Sequence, residues 1–196
     1  MFRKLTSWSA IILWGRASGI GAKRDIGGAR WYAGPTPPGA SLLPCILRAP
    51  TIQDLPTLSA LCLRSKATWG YDADFMEACR RELTIEPHDL QSSSIAVAEE
   101  SGKIVGVAQI RVIGNEADLL KLFVEPTMLR SGVGRELFSW ATNQATKEGA
   151  DHLVIEADPD AAPFYRRMGA KDRGFAPSGS IPGRMLPTLV KALRST

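Results

Sequence analysis

Leu122-Phe123-Val124-Glu125-Pro126-Thr127-Met128-Leu129-Arg130-Ser131-Gly132-Val133-Gly134-Arg135 is the stretch on which the reading of this chain turns. An apolar strand ends at Pro126, a short turn follows, and two glycines one residue apart open a helix. The spacing predicts that helix over Gly132 to Glu148, with Val133, Leu137, Trp140 and Ala141 on one face and Gly149 as its stop. At such a junction the first backbone N–H groups have no intrahelical acceptor and sit at the positive end of the helix dipole, while glycine lets an anion close on the backbone. With Arg130 and Arg135 on either side, the stretch predicts a phosphate site. Leu137 stands where the third glycine of a dinucleotide fingerprint falls, no acidic ribose ligand can be assigned, and no Gly-Lys-Ser/Thr follows. Neither a Rossmann site nor a P-loop is therefore expected.

Outward from this turn the chain alternates strands and helices. Upstream, Ile46-Leu47-Arg48 reads as a short strand. Thr51 and Asp54 then open a helix with Leu55, Leu58, Leu61 and Cys62 on one face, and Asp72 opens a second with Phe75, Met76, Cys79 and Leu83. Ser94 to Glu99 and Lys103 to Val112 are strands joined at Ser101-Gly102, a hairpin signal, and Leu119 to Val124 is a third. Downstream come a strand from His152 to Ala157, a short helix from Ala161 to Met168 and an alternating tail around Met185, Leu186, Leu189 and Val190. The order β α α β β β α β α β β predicts a single mixed-sheet α/β domain without repeats.

The chain has 196 residues and a formal charge of +4, but the charge is unevenly placed. Residues 1–40 hold six Lys and Arg against Asp25 alone, a balance of +5, so the rest, with eighteen bases and nineteen acids, stands at −1. The same forty residues hold seven of the eighteen glycines and three of the five tryptophans, with no sustained apolar period. They are read as a basic, flexible extension, with 41–196 as the domain. A targeting peptide and a nucleic-acid arm are the competing readings. Thr6, Ser7 and Ser9 dilute the apolar stretch that a signal peptide needs, and +5 is small for a basic arm. Cys45, Cys62 and Cys79 form no CxxC and no even disulfide framework, which suits a reducing, cytoplasmic setting. His88 and His152 have no ligand-spaced partner, so no metal is expected.

The glycine turn resembles the cofactor motif of the GCN5-related N-acetyltransferase family, Gln/Arg-x-x-Gly-x-Gly/Ala after a strand ending L-x-V-x-P. Leu122, Val124, Pro126, Gly132 and Gly134 match, while Leu129 stands where that family prefers Gln or Arg. The resemblance spans most of residues 46–193 and implies a sheet with splayed central strands. It also implies acetyl-CoA as co-substrate: Leu129, Arg130, Ser131, Gly132, Val133, Gly134 and Arg135 would hold its pyrophosphate, largely through backbone amides. The main chain at Leu122, Phe123 and Val124 would face the acetyl carbonyl and the pantetheine arm. A second block, Ala157-Asp158-Pro159-Asp160-Ala161-Ala162-Pro163-Phe164-Tyr165-Arg166-Arg167-Met168-Gly169-Ala170, resembles the family's asparagine turn and tyrosine helix. Asp160 is placed at the asparagine position. Tyr165 takes the place of the general acid, a phenol able to give a proton to a departing thiolate; its plain alternative is packing beside Phe164. Asp118 falls where one branch carries its general base, with Glu156 and a water chain as rivals.

By the same resemblance the acceptor pocket comprises the segment between the first two helices, with Trp69, Tyr71 and Asp72, and the last loop with Arg184. Ring faces and carboxylates both attract an ammonium, although Trp69 and Tyr71 could equally cover the core edge and Asp72 cap a helix. The expected function is direct acetyl transfer to a primary amine of a small molecule or peptide, since Cys62 and Cys79 sit on apolar faces and no other nucleophile is evident. No nucleic-acid or membrane partner is expected, and a homodimer is left open. Two rivals stand beside this: a CoA-binding sensor with little turnover, raised by Leu129 and Asp160, and a nucleic-acid binder led by residues 1–40.

Overall fold

The computed structural model describes residues 45–194, so the expectation for residues 1–40 lies outside the described residues. Strand β1 (Ile46–Arg48) leads through a 3-10 turn (Ile52–Asp54) into α1 (Leu55–Ala67), followed by α2 (Ala73–Leu83) and α3 (Asp89–Ser92). Then come β2 (Ser94–Glu100), β3 (Lys103–Ile113), β4 (Glu116–Val124), α4 (Val133–Lys147), β5 (His152–Glu156), α5 (Ala162–Arg167), β6 (Lys171–Pro177) and β7 (Met185–Ala192). The expected order holds, with α3 and two 3-10 turns added and β4 beginning at Glu116 rather than Leu119. That earlier start reflects pairing: Glu116, Ala117 and Asp118 are polar or small, yet each has a partner on both β3 and β5. Asp89 at the start of α3 and Ser93 at its C-cap accept from the fully buried Gln109, at 3.1 and 2.9 Å, a tertiary contact that no local periodicity announces.

The seven strands form one sheet ordered β1-β2-β3-β4-β5-β7-β6. Only β4 and β5 run parallel among these neighbours. Their pairing stops at Asp118↔Val154. Beyond it β4 continues to Val124 paired with β3 alone, and β5 continues to Glu156 paired with β7 alone. The strands therefore part into a wedge. A bulge accompanies the parting, because Leu119 and Lys121 face the consecutive residues Ile110 and Gln109, leaving Leu120 extra on β4. Such an insertion bends its strand and sharpens the local twist.

Two apolar layers cover the sheet. On one face Leu119, Leu122, Val124, Leu137, Phe138, Leu153, Ile155 and Tyr165 pack together under α4 and α5. On the other, Leu58, Leu61, Cys62, Cys79, Val97, Val107 and Phe123 pack under α1 and α2. The alternation of Leu122, Phe123 and Val124 between these layers is the period-2 geometry of a strand buried on both faces. The start of α4 lies very close to β3. A Cβ at Gly106 would stand 2.8 Å from Leu137 Cδ1 and 3.1 Å from both Val133 Cγ1 and Phe123 O. Glycine at 106 is thus what lets the helix N-terminus settle at the end of β4.

Candidate active site

The glycine turn has the backbone that the sequence predicts. Pro126–Met128 form a 3-10 turn, Leu129 is extended, Arg130 has φ +67°, and Gly132 caps α4 with φ +101°. Both positive φ values rotate peptide planes out of helical register, and a non-glycine residue held there marks a backbone dictated by its surroundings. The first intrahelical bonds come from the amides of Arg135 and Glu136 to Gly132 O, at 2.9 and 3.1 Å. The amides of Val133 and Gly134 therefore precede the first i→i−4 acceptor and point out of the helix end. Ser131 Oγ donates to Met128 O at 2.7 Å and braces the loop. Leu129 packs against the core, while Arg130, Ser131, Gly132 and Arg135 are exposed. An anion here would meet main-chain donors and two exposed arginines.

The side chains of Leu122, Phe123 and Val124 are all buried. What these residues offer the wedge is backbone, on the edge of β4 that β5 leaves unpaired. Asp118 stands where the two strands part, partly exposed, with Arg111 Nη2 3.5 Å away. Glu156 closes β5 on its other side and is half-buried.

Tyr165 is fully buried, with its ring 5.5 Å from Phe138 and 5.0 Å from Phe164 between centroids. Its phenol oxygen has no hydrogen-bond partner among the described residues. Burial pushes the phenol well above its ordinary pKa, so it stays protonated at neutral pH, the state that a proton donor needs. A buried hydroxyl without a partner costs on the order of 1–3 kcal/mol, and such a group calls for an external acceptor.

On the α1/α2 side the acceptor-pocket residues separate. Tyr71 and Arg184 are brought together and Asp72 is not: it caps α2, accepting from the Phe75 amide at 2.8 Å. Trp69 packs against the core, with its indole N–H buried and unpartnered among the described residues. Tyr71 Oη donates to Asp158 Oδ2 at 2.7 Å, and Arg184 Nη2 donates to Tyr71 Oη at 2.6 Å and to Asp158 Oδ2 at 3.1 Å. Lys66 Nζ completes the group, 2.9 Å from the same oxygen. The buried side chain of the asparagine-like turn is thus Asp158, whereas Asp160 is exposed and gives its amide to Asp158 Oδ1 at 3.3 Å. Burial alone would raise the Asp158 carboxyl, but Lys66, Tyr71 and Arg184 bring it below the usual range. Burial pushes the Lys66 ammonium down against the pull of Asp158.

Sequence reasoning missed Lys66 and Asp158. Lys66 carried a signal: it lies four residues after Cys62, on the apolar face of α1, where a cation needs a buried partner. Cys62 is itself buried, which pushes its thiol up to about 12, a core residue's environment rather than a nucleophile's. Among the described residues no group of three or more His, Cys, Asp or Glu could hold a metal, and no helix is long and apolar enough to cross a membrane.

The wedge and the loop suit a long phosphorylated ligand. Main-chain donors lie at the start of α4, the unpaired edge of β4 runs from them toward Asp118, and an orphaned phenol sits on the helix that follows β5. Comparison with known proteins agrees in kind. The sequence profile of a family described as "Acetyltransferase (GNAT) domain" matches residues 59–175. A relative from Azospirillum brasilense named IAA acetyltransferase is 33% identical over 92 residues, which cover 44% of this chain and 60% of the relative's length. Among solved structures, a GCN5-related N-acetyltransferase from Rhodopseudomonas palustris superposes with TM-score 0.63 at 22% identity, covering 76% of this chain and 96% of the other. The PaiA N-acetyltransferase of Thermoplasma acidophilum, solved with coenzyme A, gives TM-score 0.59 at 18% identity over 76% and 99%. At these identities the two structures speak to the fold.

Proposed function

The chain belongs to the GNAT acetyltransferase family, and on that premise we propose that it transfers an acetyl group from acetyl-CoA directly to a primary amine of a small molecule or peptide. The observation that carries this is the parting of β4 and β5 beyond Asp118↔Val154, with α4 opening at the end of one strand and Tyr165 on the helix after the other. Acetyl-CoA, when bound, supplies an activated acetyl thioester. The amides of Val133 and Gly134 hold its phosphates, with Arg130 and Arg135 adding charge. Backbone N–H groups on the open edge of β4 near Leu122 and Val124 donate to the acetyl carbonyl, where negative charge grows as the amine attacks.

An amine arrives as an ammonium and has to lose a proton before its lone pair can form the new C–N bond. Asp118, where the strands part, is the candidate base, with Glu156, at the end of β5, as its rival. As the C–S bond breaks, the electron pair leaves on sulfur, and the Tyr165 O–H is the proton donor for that thiolate. Trp69, Tyr71 and Arg184 line the acceptor side. Direct transfer is favoured because the two cysteines on the α1 and α2 helices, Cys62 and Cys79, are core residues.

The test is release of free CoA thiol by the purified chain with acetyl-CoA and a panel of amines, polyamines, amino acids and peptides. Thiol release that requires an acceptor supports the proposal. Tight acetyl-CoA binding with no release on any acceptor would instead make the chain a CoA-binding sensor, the reading raised by Leu129 and Asp160.

A further inference from the structure

Arg64 and Lys66 stand in the last turn of α1, where basic residues are common because the negative end of the helix dipole favours them. Their partners need another explanation. Arg64 Nε and Nη2 donate to Glu125 Oε1 and Oε2, at 3.2 and 2.8 Å, and Lys66 Nζ donates to Asp158 Oδ2 at 2.9 Å. Glu125 is the first residue after β4, and Asp158 is the second after β5. They are the two lips of the wedge, since beyond Asp118↔Val154 no ladder joins the strands. Successive residues of an α-helix point about 100° apart, so positions two apart project to nearly opposite sides of its axis. One turn of α1 therefore reaches the β4 lip with Arg64 and the β5 lip with Lys66.

Each partner is also where a functional segment begins. The Glu125 amide donates to Val105 O at 2.9 Å and its carbonyl accepts from the Met128 amide at 2.8 Å, so this residue ties β3 to the 3-10 turn that leads to Gly132. The Asp158 carbonyl accepts from the amides of Ala161 and Ala162, at 2.8 and 3.1 Å, at the start of α5, the helix of Tyr165. The donors proposed for the acetyl carbonyl lie on the β4 side and the proposed proton donor on the β5 side. Their spacing matters to the reaction, because a misplacement of about 1 Å can cost on the order of a hundredfold in rate. The two bridges differ in exposure. Lys66 and Asp158 are buried, whereas the Arg64 side chain is 50% exposed, and a pair at such a surface contributes little to stability. Arg64 can thus be changed without unfolding the protein.

We infer that the last turn of α1 is a strap across the wedge that sets the spacing of its two lips, with Arg64 and Lys66 as positioning residues. This rests on the acetyl-transfer reading only for its effect on rate. The spacing is read by double electron–electron resonance between nitroxides on Thr127→Cys, in the 3-10 turn, and Pro163→Cys, on α5. Both positions are exposed, and in a full chain carrying Cys45→Ser the remaining cysteines are buried. Arg64→Met is expected to broaden the distance distribution and move its maximum outward. In the unlabelled chain the same change should lower kcat about tenfold or more, with the KM for acetyl-CoA moving less. The melting temperature should stay close to the parent's. Arg64→Lys, which keeps the charge without the two-bonded fork, should fall in between. Arg64→Glu combined with Glu125→Arg restores the pair in reverse and should recover most of both readouts. A distance distribution unmoved in Arg64→Met, or one that moves with kcat unchanged, overturns the inference while acetyl transfer stands. If the parent releases no thiol with any acceptor, the transfer reading fails by itself, and the distance distribution, which needs no turnover, decides the strap.

Discussion

Lys66 Nζ lies 2.9 Å from Asp158 Oδ2, and the two side chains are 3% and 2% exposed. The contact joins α1 to the turn that follows β5 beside the wedge. Tyr71 and Arg184 share the same carboxylate, so one buried oxygen fixes the relative positions of α1, the α1–α2 segment and the β6–β7 loop. Ion pairs at the surface of the same sheet, such as Arg166 with Asp172, are exposed and contribute little by comparison.

Removing one member of such a pair leaves the other buried and under-compensated. Lys66→Met is expected to cost about 3 kcal/mol, the low end of the usual range, because Arg184 still faces Asp158. Urea unfolding followed by circular dichroism measures it. Asp158→Leu added to Lys66→Met should recover part of the loss, and a single-mutant cost below about 1 kcal/mol would show that the pair contributes little.

Stability should also depend on acid through Asp158. Its folded carboxyl is depressed below its unfolded value near 3.9, so between the two the unfolded state binds more protons and stability rises with pH. The contribution is complete above about pH 4 and is lost as pH falls through the lower folded value. Thermal melts from pH 6 downward should therefore fall more steeply for the parent than for Asp158→Asn. Parallel curves would contradict this.

Gly132→Ala separates binding from packing. A Cβ there meets nothing within 4 Å, so the cost comes from φ +101° alone, roughly 1–2 kcal/mol for a side chain in left-handed backbone. Since the same torsion aims the first amides of α4, acetyl-CoA affinity by calorimetry should fall about tenfold or more, the equivalent of 1.4 kcal/mol. Unchanged affinity would remove this turn from the phosphate site.

Tyr165→Phe should leave the unliganded protein at least as stable as the parent, because the deleted hydroxyl is buried and makes no hydrogen bond with the described residues. Turnover is expected to fall about a hundredfold or more, the usual contribution of a positioned acid, with acetyl-CoA affinity nearly unchanged. A mutant that turns over normally would end the general-acid assignment.

Much of the fold was legible locally. Ser101 and Gly102, at φ 51° and 73°, make the tight hairpin turn that their residue types announce. Gly149, at φ 94°, ends α4, with the Ala150 amide donating back to Ala145 O at 3.0 Å. The start of β4 was not legible, since Glu116 and Asp118 read as loop until their partners on β3 and β5 are known. Nor was the choice of Asp158 over nearby Asp160 as the buried acid, which is settled by contacts with Lys66, Tyr71 and Arg184, distant in the chain.

The sequence by itself determined the glycine turn that opens α4, because glycine at 132 and 134, proline at 126 and the apolar periods on either side are instructions that a backbone obeys within a few residues. The tertiary structure alone decided what surrounds it. Whether Tyr165 finds a partner, whether Asp72 caps a helix or lines a pocket, and which cations share Asp158 all depend on burial and on contacts between distant segments. Desolvation, which sets the protonation of these groups, is a property of the packed molecule and of no single stretch of chain.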